Sequence, residues 1–250
     1  MMRNNTSTLG PRRCLDERPR RGMMRDRAAD RRLLWETMFV LAVSLGQSAW
    51  YSILRMIERL TRGVPMNQQT STLNSSVTPG RPWLDLLYQL SDIAFGVVPA
   101  LLAVLLLAQV KPPRQGVRRA LGLEAPGWGR DVGAGAMLAA IIGIPGLGFY
   151  WAAHALGFNT TVRAADLQHV WWTAPVLIGL AGMNAVLEET VMIGYLFTRW
   201  GQIGGSTTMV IVTSAIIRGT YHLYQGWGDF IGNIVMGPVS YTHLTLPTNR

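Results

Sequence analysis

The chain has 250 residues, 49% of them hydrophobic and only 15% charged, with a formal net charge of +9. Globular chains carry about 25% charged residues, so an ordinary soluble domain is excluded. The little polar sequence between the apolar blocks leaves no room for a large domain outside a membrane. Lys111 is the only lysine, so the positive charge is arginine, and the single Cys14 excludes an intrachain disulfide.

Ten arginines lie before Leu33. Residues 1–32 therefore read as a basic, disordered tail, rich in Pro and Arg. Because the tail abuts an apolar block, anionic lipid headgroups are its expected partner, at about 1 kcal/mol per cation near the surface, and nucleic acid is not. Met23 and Met24 are alternatives to Met1 as the start, since Arg25 already supplies a positive flank. The block Leu33–Leu54 is too long for a signal-peptide core and lacks a small-residue cleavage site after it. It reads as an uncleaved signal-anchor.

Further apolar blocks follow at about Leu86–Val110, Val132–Leu156, Thr173–Trp200 and Thr207–Leu223. Several are near the length of about 20 residues that spans a bilayer. A sixth begins at Phe230 and is short. The connection Lys111–Arg130 is basic, whereas Arg62–Arg81 is rich in Ser, Thr, Asn and Gln, and Asn159–Trp172 has one Arg and one Asp. The positive-inside rule then puts the N-terminus and the second connection in the cytoplasm, with the first and third connections outside. Arg55, Arg59 and Arg62 run against that pattern. Trp171, Trp172 and Trp200 bracket the fourth block as interfacial anchors. The expected fold is an all-α polytopic transmembrane helix bundle in the cell membrane, one domain over residues 33–237.

The segment Val239-Ser-Tyr-Thr-His-Leu244 breaks the apolar pattern and resembles one reading frame of a sequencing-library adapter. Residues 238–250 are accordingly expected to be a non-native tail. Natural sequence is expected to stop near Gly237 or Pro238, which leaves His243 without a role.

Two constellations carry chemistry. In the fourth block stand Asn184, Glu188, Glu189 and Thr190. An ionised side chain at membrane depth costs at least roughly 2.5–3.5 kcal/mol, so two adjacent acids imply chemistry, transport or a buried polar contact. Asn184 and Glu188 are i and i+4 and share a helix face, while Glu189 points about 100° away. In the fifth block, Arg218 and His222 are likewise i and i+4. A guanidinium cannot lose its proton, and Glu188 or Glu189 is the expected acid for an interhelical ion pair with Arg218. His222 can donate to an oxyanion, bind a metal or satisfy a core hydrogen bond. Gly219 and Gly226 allow close helix approach. Met183, Met192 and Met236 read as packing filler.

The run Glu188-Glu189-Thr-Val-Met-Ile-Gly194-Tyr195-Leu196, followed by Arg218-Gly-Thr-Tyr-His222-Leu-Tyr-Gln-Gly226, resembles the CPBP family of intramembrane proteases. This is the CAAX prenyl protease and bacteriocin-processing, or "Abi", family. Gly143-Ile-Pro-Gly146 and Gly232-Asn233-Ile-Val-Met-Gly237 resemble its actinobacterial-type branch, and the likeness spans about Arg31 to Gly237. The family pattern is EExxxR, FxxxH, then HxxxN or HxxxD. Glu188 and Glu189 match the paired acids and His222 the second-motif histidine. Ile193 stands where the family has Arg, and Arg218 where it has Phe, as if the cation had moved to the neighbouring helix. The third motif would lie beyond Gly237 and is absent, so the resemblance is to a C-terminally truncated member.

The resemblance implies a bacterial intramembrane endopeptidase acting on a peptide or membrane-protein substrate. A base must activate water and a donor must steady the oxyanion. Glu188 is the expected base, His222 the group that holds water or oxyanion, and Glu189 the partner of Arg218, with the two acids open to exchange. A metal route stays open beside it: zinc takes three protein ligands plus water at catalytic sites. Glu188, Glu189 and His222 are the residues available, though nothing like HExxH is present. The alternative is a catalytically inactive membrane scaffold or immunity protein. A proton-coupled transporter would show broken helices in matching repeats, and the sequence has none.

Overall fold

The computed structural model describes residues 27–109 and 128–245. The early tail, Cys14, most of the basic second connection and residues 246–250 lie outside the described residues.

The first helix, α1, runs Arg27–Leu41, so it takes in the last residues of the expected tail. It passes through a π-helical turn, Ala42–Gly46, into α2, Gln47–Thr61. The junction is kinked at Ser44, whose φ of −118° and ψ of −113° are not helical. Its hydroxyl donates to the Val40 carbonyl oxygen at 2.6 Å. Such back-bonding competes with the helix ladder and bends it. Strand β1, Thr70–Ser75, follows. Next come α3, Pro82–Ala108, and α4, Trp128–Ala155. Strand β2, Thr161–Asp166, leads to α5, Thr173–Glu188. A π-helical segment, Glu189–Leu196, continues into α6, Phe197–Gln202. Helix α7, Thr207–His222, ends in a 3₁₀ turn, Leu223–Gln225, before α8, Trp227–Thr245.

Among the described residues, four helical spans are long and apolar enough to cross a membrane: Arg27–Thr61, Pro82–Ala108, Val132–Ala155 and Thr173–Gln202. Their outer faces expose large apolar side chains such as Phe39, Trp50, Phe95, Ile144 and Ile178. That surface suits lipid and would be a liability in water. The all-α polytopic expectation holds, with one addition: the two polar connections contain strands. β1 and β2 pair in parallel, with Thr70 opposite Thr161 and Ser75 opposite Asp166. The pairing places the first and third connections on the same side of the bundle, as the charge pattern anticipated.

Helix α7 has 16 residues, about 24 Å at 1.5 Å per residue, short of a 30 Å core. It starts after α6 and finishes at a turn bonded to the segment before β2: Thr160 donates to the Gln225 carbonyl oxygen through N–H and Oγ1, both at 2.9 Å. Helix α8 then returns through Gly237 to Thr245, so the backbone stays helical where the apolar pattern breaks at Val239.

The main core joins Val40 and Leu45 of the first span, Ala103 and Leu107 of α3, Val191, Met192, Tyr195 and Leu196 of the π segment, and Val210 and Tyr221 of α7. Met192 is buried there, and Met183 packs on a second cluster around Trp172, Val176 and Leu180. Gly219 lets α7 and α8 touch: a Cβ there would lie 2.9 Å from the Phe230 carbonyl oxygen and 2.7 Å from Ile234 Cγ1. Gly226 closes the turn with φ of 141°, and a Cβ would sit 2.5 Å from the Phe158 carbonyl oxygen. Gly226→Ala combines a left-handed backbone with a collision against main chain. It should lower stability in detergent by more than about 1 kcal/mol, read as a lower unfolding temperature, whereas Gly63→Ala meets only its own φ penalty.

Candidate functional site

The segment α5–π–α6 positions both acids. At Glu189 the helix leaves α geometry for π geometry, a change that recurs at functional sites because it re-aims side chains along the helix. Glu188, the last α residue, lines a cavity of about 540 Å³. Asn184, one turn earlier on the same face, lines it too, as do Tyr221 and His222 of α7 and Tyr224 and Gln225 of the following turn. The far wall comes from α2, through Tyr51, Ser52 and Arg55.

The Arg218 guanidinium reaches Glu188, with Nη2 at 3.2 Å from Oε2. The two side chains are 15% and 25% exposed, so the pair is well shielded from solvent. Of the two acids expected as the partner of Arg218, Glu188 is the one seen in the pair. Glu188, the favoured base, is itself held by Arg218. Glu189 is exposed and does not line the cavity. Ile193 packs against the main core, as an apolar residue should where the family has its arginine. The Tyr221 hydroxyl lies beside the Glu188 and Arg218 charges.

His222 is oriented by its own turn. The Gln225 side-chain amide nitrogen stands 3.4 Å from Nδ1 and donates to the Tyr224 hydroxyl at 3.0 Å. An amide nitrogen has only hydrogens to offer, so Nδ1 accepts and a neutral His222 carries its proton on Nε2. The Tyr221 ring lies against the imidazole, with centroids 4.7 Å apart. The turn is itself fixed from three elements. Ser52 Oγ accepts from Tyr224 N–H at 2.7 Å, Ser71 Oγ donates to the Tyr224 carbonyl oxygen at 3.2 Å, and Thr160 holds Gln225.

Sequence reasoning missed a second ionic cluster. Glu36 of α1 pairs with Arg199 of α6 at 2.5 Å and accepts from the Tyr195 hydroxyl at 2.8 Å. Arg199 is 4% exposed and also donates to the Leu106 carbonyl oxygen at 2.9 Å. Glu188 and Glu189 are therefore not the only acids facing a cation across helices. The overlooked signal was Glu36, an acid inside the first apolar block. A third contact holds the start of α8. The fully buried Asn159 accepts from Gly228 N–H and donates to Asp229 Oδ2, both at 2.8 Å.

The described residues do not form a zinc site. Among the described residues no three of His, Cys, Asp and Glu converge, and the cavity offers Glu188 and His222 alone of those expected.

Helices long and apolar enough to span a membrane thus bring an acid and an imidazole to one cavity, with a guanidinium paired to the acid. Residues 170–248 match a family model described as Rce1-like, type II CAAX prenyl endopeptidase Rce1-like. The match covers both motifs and supports the CAAX protease family, whose members are intramembrane endopeptidases. No curated protein and no solved structure matches the chain.

Replacing Arg218 by Leu strands Glu188 without its counter-charge and should cost about 3 kcal/mol. Ile193→Ala only trims a partly buried side chain and should cost less than half of that. Unfolding titrations of both variants in detergent check the order; equal, small losses would refute the compensating-cation reading.

Proposed function

We propose that the cavity hydrolyses a peptide bond within the membrane, using a water activated by Glu188. The observation that carries the reading is that Glu188 and His222 line one cavity, with Arg218 fastened to the acid. The ion pair engages Oε2, which leaves Oε1 as the proton acceptor. Glu188 takes a proton from water as the oxygen attacks the scissile carbonyl carbon. The Nε2–H of His222 then donates to the developing oxyanion, and the proton held by Glu188 passes to the leaving amine as the C–N bond breaks. Arg218 keeps the carboxylate in place, and Gln225 keeps the imidazole in the tautomer that donates.

The substrate class that accords with the family is a prenylated CAAX peptide or another membrane-embedded chain. The charge pattern favours a cytoplasmic N-terminus, and the family resemblance favours a bacterial membrane. A second reading has one observation in its favour: the Glu36–Arg199 cluster shows that this bundle also uses ion pairs only to fasten helices. On that reading the protein is an inactive scaffold or immunity factor and the Glu188–Arg218 pair does the same.

The test uses the full chain in proteoliposomes with a prenylated CAAX peptide. Wild type should release the C-terminal fragment. Glu188→Gln, close in size and still able to accept from Arg218, should slow release by about 10²–10⁴-fold with the helical signal unchanged. Cleavage by Glu188→Gln at the wild-type rate would refute the role of Glu188.

A further inference from the structure

Three arginines on α2 and just after it run against the charge pattern, and two of them serve the fold. Arg62 pairs with Glu58, and Arg59 Nη1 donates to the Thr70 carbonyl oxygen at 3.3 Å. Arg55 does neither. It lines the same cavity as Glu188 and His222, on the helix face that also brings Ser48, Tyr51 and Ser52 there. Among the described residues no carboxylate pairs with Arg55. Its guanidinium lies over the Tyr224 ring, with Cζ 5.7 Å from the centroid. A ring face attracts the charge but leaves most of the five N–H donors of a guanidinium open. Arg55 is also exposed, so an incoming anion reaches it without unpacking the bundle.

We propose that Arg55 binds the free C-terminal carboxylate of a peptide, so that the bond presented to Glu188 lies a few residues from a chain end. The cutting rests on the endopeptidase reading; the carboxylate binding does not. A planar guanidinium matches a carboxylate through two parallel N–H···O bonds. The one anion that an unmodified peptide always carries is its terminal carboxylate, whereas acidic side chains depend on its sequence. A cavity of about 540 Å³ is the size of a small-ligand site, so it holds a few residues, with the terminus and the scissile bond inside it together. Gln47 and Asn184 contribute amide side chains to the wall. These can meet peptide N–H and C=O groups and have nothing to bond in a lipid tail. Arg55 is also tied to the reaction site. The Tyr224 hydroxyl accepts from the Gln225 side-chain nitrogen at 3.0 Å, and the same nitrogen stands 3.4 Å from His222 Nδ1. The ring under Arg55 and the imidazole thus belong to one turn, which holds the spacing between anion site and imidazole.

The experiment uses the full-length Glu188→Gln protein in phosphatidylcholine vesicles, so that binding is read without turnover. The probes are a fluorescent prenylated CAAX peptide with a free C-terminal carboxylate and the same peptide as its C-terminal amide. The acid should bind roughly ten- to hundredfold more tightly than the amide. Adding Arg55→Gln should bring the two Kd values within about twofold of each other, by weakening the acid alone. Arg55→Lys keeps a point charge without the fork and should retain part of the preference. Acid and amide binding alike before Arg55 is changed, or neither binding, overturns the proposal, whatever the Arg55 variants do. Equal weakening of both peptides by Arg55→Gln makes Arg55 structural and overturns it too. So does an effect of Arg55→Gln that appears only when phosphatidylglycerol is added to the vesicles, which would assign the arginine to a headgroup. Wild-type cleavage of both peptides is scored in parallel. A carboxylate preference that needs Arg55, without cleavage, keeps the subsite and removes the endopeptidase reading; equal cleavage of acid and amide does the reverse.

Discussion

The ion pair between Glu188 and Arg218 is the constraint on which the site depends. Each charge alone would be untenable on an apolar helix, and together they fix the relative height and rotation of α5 and α7. A shielded pair of this kind adds little net stability over a well-packed apolar pair, because desolvation consumes most of the attraction. What it supplies is geometry. With Arg218 at Glu188, the next turn of α7 carries Tyr221 and His222 to the same cavity. Slide α7 by one turn and the imidazole leaves it.

The second half of the site is held from outside the helices. His222 is the last residue of α7, where a helix would fray, yet the turn behind it is bonded to α2 through Ser52, to β1 through Ser71 and to the segment before β2 through Thr160. Gly226 makes that turn possible by taking a backbone conformation that other residues resist. Thus the strands, which look incidental in a membrane bundle, help determine where the imidazole stands. The Glu36–Arg199 cluster does comparable fastening at the opposite end of α5–α6, with no cavity residue attached to it.

Much of this was legible in the sequence because it is local. The i, i+4 spacing of Arg218 and His222, and of Asn184 and Glu188, states which side chains share a face, and the scarcity of acids in the apolar blocks points Arg218 at the Glu pair. Which glutamate it meets was not legible. Adjacent residues differ by about 100° on a helix, and the change to π geometry begins at Glu189, where no residue in Glu-Thr-Val-Met-Ile announces it. The strands were missed for a different reason. Thr-Ser-Thr-Leu-Asn-Ser is short and polar, and its partner lies some ninety residues on, a pairing that no local pattern encodes. The Glu36–Arg199 pair was not legible because nothing near Arg199 in the chain shows that α1 brings Glu36 alongside.

A double-mutant cycle on Glu188 and Arg218 tests the central claim most directly. Unfolding free energies in detergent would be measured for wild type, Glu188→Gln, Arg218→Gln and the double variant. If the pair joins α5 to α7, the double variant loses less than the sum of the single losses, with a coupling of roughly 1–3 kcal/mol. Additive losses, with no coupling beyond experimental error, would mean that the two side chains do not meet and that the cavity is not built as described.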